Sequence, residues 1–219
     1  MGKEPKKYKL KKPIKKCIYP YKLGYNNETE IIDEQAFKES SPNCYNYLLN
    51  FKSELENRMD SRKTFNEMGR VWYSYTRKGL INIFAEKKIL VGYIVSKNTY
   101  CLDEIGYMFS VGRVFAIQPN DKQLSEIILG ILNSKVSEFL MTSLCPIKQG
   151  DFYKISSQYL NSFPIPILES EIITRIKDLV LNIQSDKATN TSSLESQIDQ
   201  LVYELYGLTE EEIKIVEGA

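Results

Sequence analysis

Apolar and polar positions change their spacing several times along these 219 residues, and each change marks an element. Near the start, Cys17 to Tyr21 reads as a short basic strand. Gly24 and Asn26-Asn27 supply turn chemistry, and Thr29 to Ile32 resumes a β-prone run. Ser40-Ser41-Pro42 then looks like a helix start, with proline at the first helical position. Tyr45, Leu48, Leu49 and Leu55 follow at helical spacing as far as about Arg58. Residues 81–96 and 107–118 are rich in β-branched and aromatic side chains and are punctuated by Gly92, Gly106 and Gly112, which predicts three or four strands.

After Pro119 the helical period returns. From Lys122 to Leu144, apolar positions such as Leu124, Ile127, Ile131, Val136 and Leu140 predict a helix of roughly six turns, and Asn133-Ser134 marks a bend in it. Residues 145–163 read as loop, short strand and a helical turn, and Pro164 and Pro166 hold Ile165 extended. Ile172, Ile176, Leu179/Val180 and Ile183 mark one amphipathic helix, and the stretch 186–193 is a linker. Leu194, Ile198, Leu201 and Leu205 mark a second helix, with Ser192 and Glu195 as its capping box and Gly207 just past its end. Thr209 with Glu212 caps a last short helix. The expected class is α+β: a mixed sheet of several short strands with packed helices, then C-terminal amphipathic helices. The expected boundary separates 1–168 from 169–219.

Composition narrows the chemistry. The chain is 42% hydrophobic and 26% charged, within the ordinary globular range. No apolar run approaches the ~20 residues of a membrane span, and no signal peptide opens the sequence, so a cytoplasmic protein is expected. The four cysteines (Cys17, Cys44, Cys101, Cys145) are scattered and there is no histidine. That composition argues against a clustered zinc site and removes the Ser-His and Cys-His nucleophile pairs.

The net charge of +1 conceals a strong segregation. Residues 1–25 hold nine lysines against one glutamate, and 62–97 hold eight Lys/Arg against two Glu, whereas 195–219 hold seven acids and one lysine. Basic segments of this kind can meet phosphate, although a lysine-rich terminus is equally a solvated tail.

The sequence offers little catalytic chemistry. Neither G-x-G-x-x-G nor G-x-x-x-x-G-K occurs. Glu86-Lys87-Lys88, with Asp60 upstream, is the nearest thing to a metal-dependent nuclease signature, but Glu-x-Lys is common by chance and reads as well as a charged strand edge. Asp33-Glu34 and Asp103-Glu104 read as turn acids. What stands out is aromatic and basic side chains interleaved in Arg70-Val-Trp-Tyr-Ser-Tyr-Thr-Arg77-Lys78, with a second cluster at Lys148-Gln149-Gly150-Asp151-Phe152-Tyr153-Lys154. Arginine offers a bidentate fork for guanine or phosphate, and glutamine is the type that pairs with adenine. The alternatives are rings wedged into core in the first cluster and a polar surface turn in the second.

The order of segments resembles the TaqI-like target-recognition domain at the C-terminal end of type IIG restriction-modification methyltransferases. The matching pieces run in family order. They are Ile18-Tyr19-Pro20-Tyr21, Tyr47-Leu-Leu-Asn-Phe-Lys-Ser-Glu-Leu-Glu-Asn-Arg58, Trp72-Tyr73 with Arg77, and Lys88-Ile-Leu-Val. Then come Gly130-Ile-Leu-Asn-Ser-Lys135, Tyr159-Leu-Asn-Ser-Phe-Pro-Ile-Pro166 and Ile198-Asp-Gln-Leu-Val-Tyr-Glu-Leu-Tyr-Gly-Leu-Thr-Glu-Glu-Glu-Ile213. The last two are the most specific. Two departures stand out. The Lys148–Lys154 loop lacks an arginine that many relatives carry there, and the stretch between Arg58 and Trp72 aligns with none of the family's pieces, as a specificity loop would.

The resemblance implies a DNA-reading module beside an adenine methyltransferase and, in many members, a nuclease. The methyltransferase's Asn-Pro-Pro-Tyr motif and glycine-rich cofactor loop are absent, so the chain looks like the recognition part alone, with no cofactor of its own. S-adenosylmethionine, and Mg²⁺ where a nuclease is present, would belong to the parent protein. Expected partners are duplex DNA and the methyltransferase domain, and no membrane. Tyr73, Tyr75, Arg77 and Gln149 are the candidates for contact at or near the bases. Arg62, Lys63, Lys78, Arg113, Lys148 and Lys154 are the candidates for phosphate contact. The helices from 169 onward would pack on each other or on the methyltransferase domain through Ile198, Leu201 and Leu205, resembling the spacer helices of type I specificity subunits. Rival readings are half of a type I specificity subunit, a nuclease using Glu86, and a helical interaction module that binds no DNA.

Overall fold

The computed structural model of the chain describes residues 7–10, 15–110, 112–166, 171–185 and 191–218. In chain order its elements are β1 (Tyr8–Lys9), β2 (Tyr21–Leu23), β3 (Thr29–Ile31), α1 (Glu34–Ser40), α2 (Pro42–Leu49), α3 (Lys52–Glu56), β4 (Met59–Asp60), β5 (Lys63–Thr64) and α4 (Ile81–Ala85). They continue with β6 (Lys88–Gly92), β7 (Ile94–Val95), β8 (Cys101–Asp103), β9 (Val114–Ile117), α5 (Ser125–Asn133), α6 (Lys135–Leu144), β10 (Ile147–Gln149) and β11 (Phe152–Lys154). Four helices complete the chain: α7 (Ser157–Ser162), α8 (Glu171–Gln184), α9 (Ser192–Tyr206) and α10 (Glu210–Glu217). This is the expected α+β class. Two compact units form: Pro13–Ala85 is one, and Met1–Lys12 with Glu86–Ala219 is the other.

In the smaller unit, β2 and β3 pair antiparallel, with Tyr21 opposite Ile31, around a turn in which Asn27 takes a left-handed φ of 58°. The strand starts later than its β-prone letters suggest, because 17–20 is irregular. Helix α1 was not legible in the sequence. Its seven residues offer one buried apolar side chain, Phe37, and therefore no period, but the Asp33 carboxylate caps it by accepting from the Ala36 N–H at 3.0 Å. Pro42 opens α2 as expected, and the helix expected to reach Arg58 instead breaks near Asn50 and resumes as α3. Residues 81–85 form helix α4, not strand: Phe84 turns into the core and the Ile81 N–H donates to Thr29 Oγ1. Phe37, Tyr45, Trp72 and Tyr73 form this unit's core, with Ile18, Ile31, Leu48 and Leu55 packed around them.

The larger unit has a four-stranded sheet in the order β1-β8-β6-β9, antiparallel except for the parallel β1–β8 pair, and a three-stranded antiparallel sheet β10-β11-β7. Strand β8 is three residues long, too short to show alternation, and 107–110 is irregular where strand was expected. The Asp103 carboxylate accounts for this, because it accepts the backbone N–H groups of Ile105, Gly106 and Tyr107 and curls the chain away from the ladder.

Above the four-stranded sheet, α5 meets α8 and α9, and Leu129, Ile131, Ile176, Val180, Ile198 and Val202 are all buried there. Gly130 is what lets the helices approach. A Cβ on it would lie 2.7 Å from Ile176 Cγ2 and 3.1 Å from Val180 Cγ2. The bend expected at Asn133-Ser134 is an angle of 66° between α5, with its leading 3₁₀ turn Lys122–Leu124, and α6. No single helix among the described residues is long and apolar enough to cross a membrane.

Both bend residues have a job. Asn133 accepts from the Tyr100 N–H at 3.0 Å and donates to its carbonyl at 2.9 Å, while Ser134 caps α6. Of the C-terminal caps, Gly207 (φ 64°) ends α9 and the Thr209/Glu212 capping box is present. The Ser192/Glu195 box is not formed: the helix begins from Thr191 in helical backbone, which leaves Ser192 inside the first turn.

Ile198 and Leu201 are buried in the unit's own core, with Leu205 packed against it. They therefore pack the chain on itself and are not open for docking a methyltransferase. The expected boundary at 168/169, the linker residues 186–190 and half of the lysines in the N-terminal run lie outside the described residues. The helices beyond that boundary share the core of the larger unit, so the compact units divide elsewhere.

Candidate nucleic-acid interface

Each unit carries its own cluster of cationic side chains. In the smaller unit, the run 70–78 divides by side-chain direction into core and surface. Trp72 and Tyr73 turn inward. The Trp72 indole N–H donates to Glu34 Oε1 at 3.3 Å, and the hydroxyl of Tyr73, a residue only 5% exposed, donates to the Ile32 carbonyl at 2.7 Å. Burial, reinforced by the charges of Glu34 and Asp33, pushes the Tyr73 phenol up to about 12, so it stays a neutral donor. Hydrogen bonds from Tyr45 and Trp72 hold Glu34 below the usual carboxylate range in spite of burial. Tyr73 is thus a core residue, and its hydroxyl is already committed to a backbone partner. Of the two readings the sequence leaves open for the rings of this run, Trp72 and Tyr73 take the core one.

Tyr75 is different. It is partly exposed, its hydroxyl donates to the Ile18 carbonyl at 2.8 Å, and its ring packs with Tyr19 and Tyr21. Lys78 lies at the β2–β3 hairpin, where its ammonium donates to the Thr29 carbonyl at 2.6 Å. An open groove runs along this side, lined by Tyr21, Arg70, Ser74, Tyr75 and Lys78.

Arg77, with 63% of its side chain exposed, reaches Asp60 Oδ2 at 3.3 Å, and Arg70 reaches the same oxygen at 3.1 Å. Burial opposes the Asp60 charge, but Arg77 and Arg70 outweigh it and hold the carboxyl below its ordinary range. Arg62 and Lys63 are exposed on the β4–β5 hairpin whose first strand ends in Asp60. Beneath them Arg58 donates to the carbonyls of Leu55, Trp72 and Ser74. Nothing in the sequence marks Arg70, Arg58 or the organising role of Asp60 as part of this site. Arg70 stood in the singled-out run, but the convergence of two arginines on one distant aspartate leaves no periodic trace.

In the larger unit the second cluster forms the β10–β11 hairpin, with Gly150 at φ 56° in its turn. Lys148 and Gln149 are exposed on β10. Lys154, on β11, places its ammonium 5.6 Å from the centre of the Tyr93 ring. The Tyr93 N–H donates to the Arg113 carbonyl at 2.8 Å, and the Ile155 N–H donates to the Tyr93 carbonyl, so the exposed Arg113 loop is stitched beside β11. Lys148, Gln149, Lys154 and Arg113 are thereby gathered around one small sheet.

The acids considered for a nuclease are arranged otherwise. Lys88, with none of its side chain exposed, pairs with Asp103 at 2.6 Å across β6–β8, and Glu86 meets Lys122 at 3.2 Å and Gln118 at 3.3 Å. A buried lysine in an ion pair is a structural group here, and Asp60 faces arginines instead of a metal site. Among the described residues, no three Cys, Asp or Glu side chains converge to hold a metal ion.

The family model of the TaqI-like C-terminal specificity domain matches residues 2–165. The chain belongs to that family. The match takes in both cationic clusters and ends before α8. A protein similar to this specificity domain is the type II methyltransferase M.MjaIV of Methanocaldococcus jannaschii, 29% identical over 185 residues, which is 80% of this chain. The aligned region covers 59% of the length of that methyltransferase.

Proposed function

We propose that this chain reads the sequence of duplex DNA on behalf of an adenine methyltransferase of a restriction-modification system, and does no chemistry itself. The observation that carries the reading is the specificity-domain match over residues 2–165, within which fall all the exposed cations described above. In this reading Lys63, Lys78, Arg113, Lys148 and Lys154 meet phosphates, and Arg77, Gln149 and Tyr75 reach towards base edges. The methyltransferase, supplying S-adenosylmethionine, would be part of the same or a partner chain, and a Mg²⁺-dependent nuclease would accompany it in some assemblies. Such work belongs in the cytoplasm, with the DNA.

Salt dependence tests the phosphate part of this reading. Each phosphate neutralised contributes about −0.9 to the slope of log K against log [salt]. Lys154→Ala is expected to weaken binding to all duplexes alike and to flatten that slope by about one phosphate's worth. An unchanged slope, measured by fluorescence anisotropy on a labelled duplex between low and moderate salt, would remove Lys154 from the interface.

A further inference from the structure

The stretch between Arg58 and Trp72 holds the β4–β5 ribbon, and its turn is unusual. Asp60 pairs with Lys63, which leaves Ser61 and Arg62 as a two-residue loop with φ of 53° and 73°. Left-handed backbone at both loop positions is the geometry in which Asn-Gly or Gly-Gly is the ordinary choice. A serine and an arginine there are strained, and such strain persists where the surroundings over-determine it, most often at functional sites.

The surroundings here are rigid. Phe65, fully buried, follows the ribbon and has the guanidinium groups of Arg58 and Arg70 over its ring at 4.3 Å and 5.1 Å. The Phe65 N–H donates to the Arg58 carbonyl at 3.0 Å, and the Arg70 N–H donates to the Phe65 carbonyl at 2.9 Å. Thr64 and Glu67 bond reciprocally on one side, and Asp60 clamps Arg70 and Arg77 on the other. The ribbon pairs with no further strand among the described residues, and Met59, Ser61, Arg62 and Lys63 are all exposed. A short, stiff, cationic two-stranded ribbon is a shape that the major groove, about 12 Å wide, admits.

We infer that the β4–β5 ribbon is the element that enters the major groove, with Arg62 at its tip donating both arms of its guanidinium to O6 and N7 of one guanine. Arg62 is then a specificity-determining residue and not a phosphate contact, and Asp60 is a positioning residue that keeps Arg70 and Arg77 beside the ribbon's base. The inference rests on the proposal that the chain reads DNA.

The test uses the 219-residue chain and a randomised duplex pool to define its motif. Arg62→Ala and Arg62→Gly are then measured on the motif duplex, on a scrambled duplex, and on motif duplexes carrying 7-deazaguanine, which lacks the N7 acceptor, at each guanine in turn. Both variants are expected to lose about 5- to 150-fold of discrimination at one G·C pair and little affinity for scrambled DNA. At that pair 7-deazaguanine should weaken the wild type and leave Arg62→Gly unaffected. Because glycine relieves the left-handed geometry, Arg62→Gly should melt no lower than the wild type, which separates loss of reading from loss of fold.

Unchanged preference in both variants, equal losses on motif and scrambled DNA, a motif without guanine, or the same 7-deazaguanine penalty with and without Arg62 would each overturn the assignment. A wild-type chain that enriches no motif overturns the assignment and the DNA-reading proposal together. An enriched motif with unaltered variants overturns the assignment alone.

Discussion

Within the nine residues from Arg70 to Lys78, neighbouring aromatic side chains take opposite roles, and the difference is set by hydrogen-bond partners. The Tyr73 hydroxyl is committed to the Ile32 carbonyl inside the Phe37–Tyr45–Trp72 cluster, whereas Tyr75 keeps an exposed ring face. Tyr73→Phe removes one donor and leaves the Ile32 carbonyl unsatisfied, so it is expected to lower stability by about 1 kcal/mol, read by urea or thermal unfolding, without changing DNA preference. Altered preference at unchanged stability would return Tyr73 to the interface. The letters could not distinguish these outcomes, because an aromatic in a basic run is equally a core wedge or a stacking surface. The Asp60 clamp was hidden for a related reason: its arginine partners lie ten and seventeen positions away, and a lone aspartate carries no sign of which cation it will meet.

At the scale of elements, legibility followed length. The bent pair α5–α6 and the amphipathic α8 and α9 repeat their apolar period often enough to be read, and their buried positions are the expected ones: Ile127, Ile131, Val136, Ile176, Ile183 and Ile198. The elements α1, α4 and β8 have seven, five and three residues, fewer than a period needs, and tertiary packing decides them.

The Gly130–Lys135 segment shows why its letters matter. Gly130 admits α8, Asn133 grips the Tyr100 backbone, Ser134 turns the helix, and the Lys135 N–H donates to Asp199 at 2.9 Å. Gly130→Ala would gain about 1 kcal/mol of helix propensity but forces a methyl group against Ile176 and Val180, an overpacking that costs about 1–3 kcal/mol. The expected outcome is a lower melting temperature, measurable by circular dichroism. A rise would mean that α5 and α8 have room to separate.

At the scale of the whole molecule, a formal net charge of +1 has little to say about partners, and the segregation of charge says more. The acidic C-terminal segment lies in α9 and α10, where Glu217 takes Lys135 at 3.1 Å and accepts from the Tyr203 hydroxyl at 3.1 Å. Those acids help to fasten the helices to their own unit, and the candidate DNA contacts lie elsewhere in the chain. The same packing explains why Ile198 and Leu201 serve the chain's own core: both are buried before any methyltransferase domain arrives. Periodicity showed that these helices had an apolar face. It could not show which surface would cover that face, because a heptad-like stripe is the same whether its partner is internal or external.

In the proposed function the chain reads DNA with its own side chains. Retention of the wild-type chain on a randomised duplex pool, followed by sequencing of the bound fraction at low and moderate salt, tests it most directly. One short enriched motif is expected, persisting as salt rises while total retention falls. Retention that falls with salt without enriching any motif, or no retention at either salt, would contradict it.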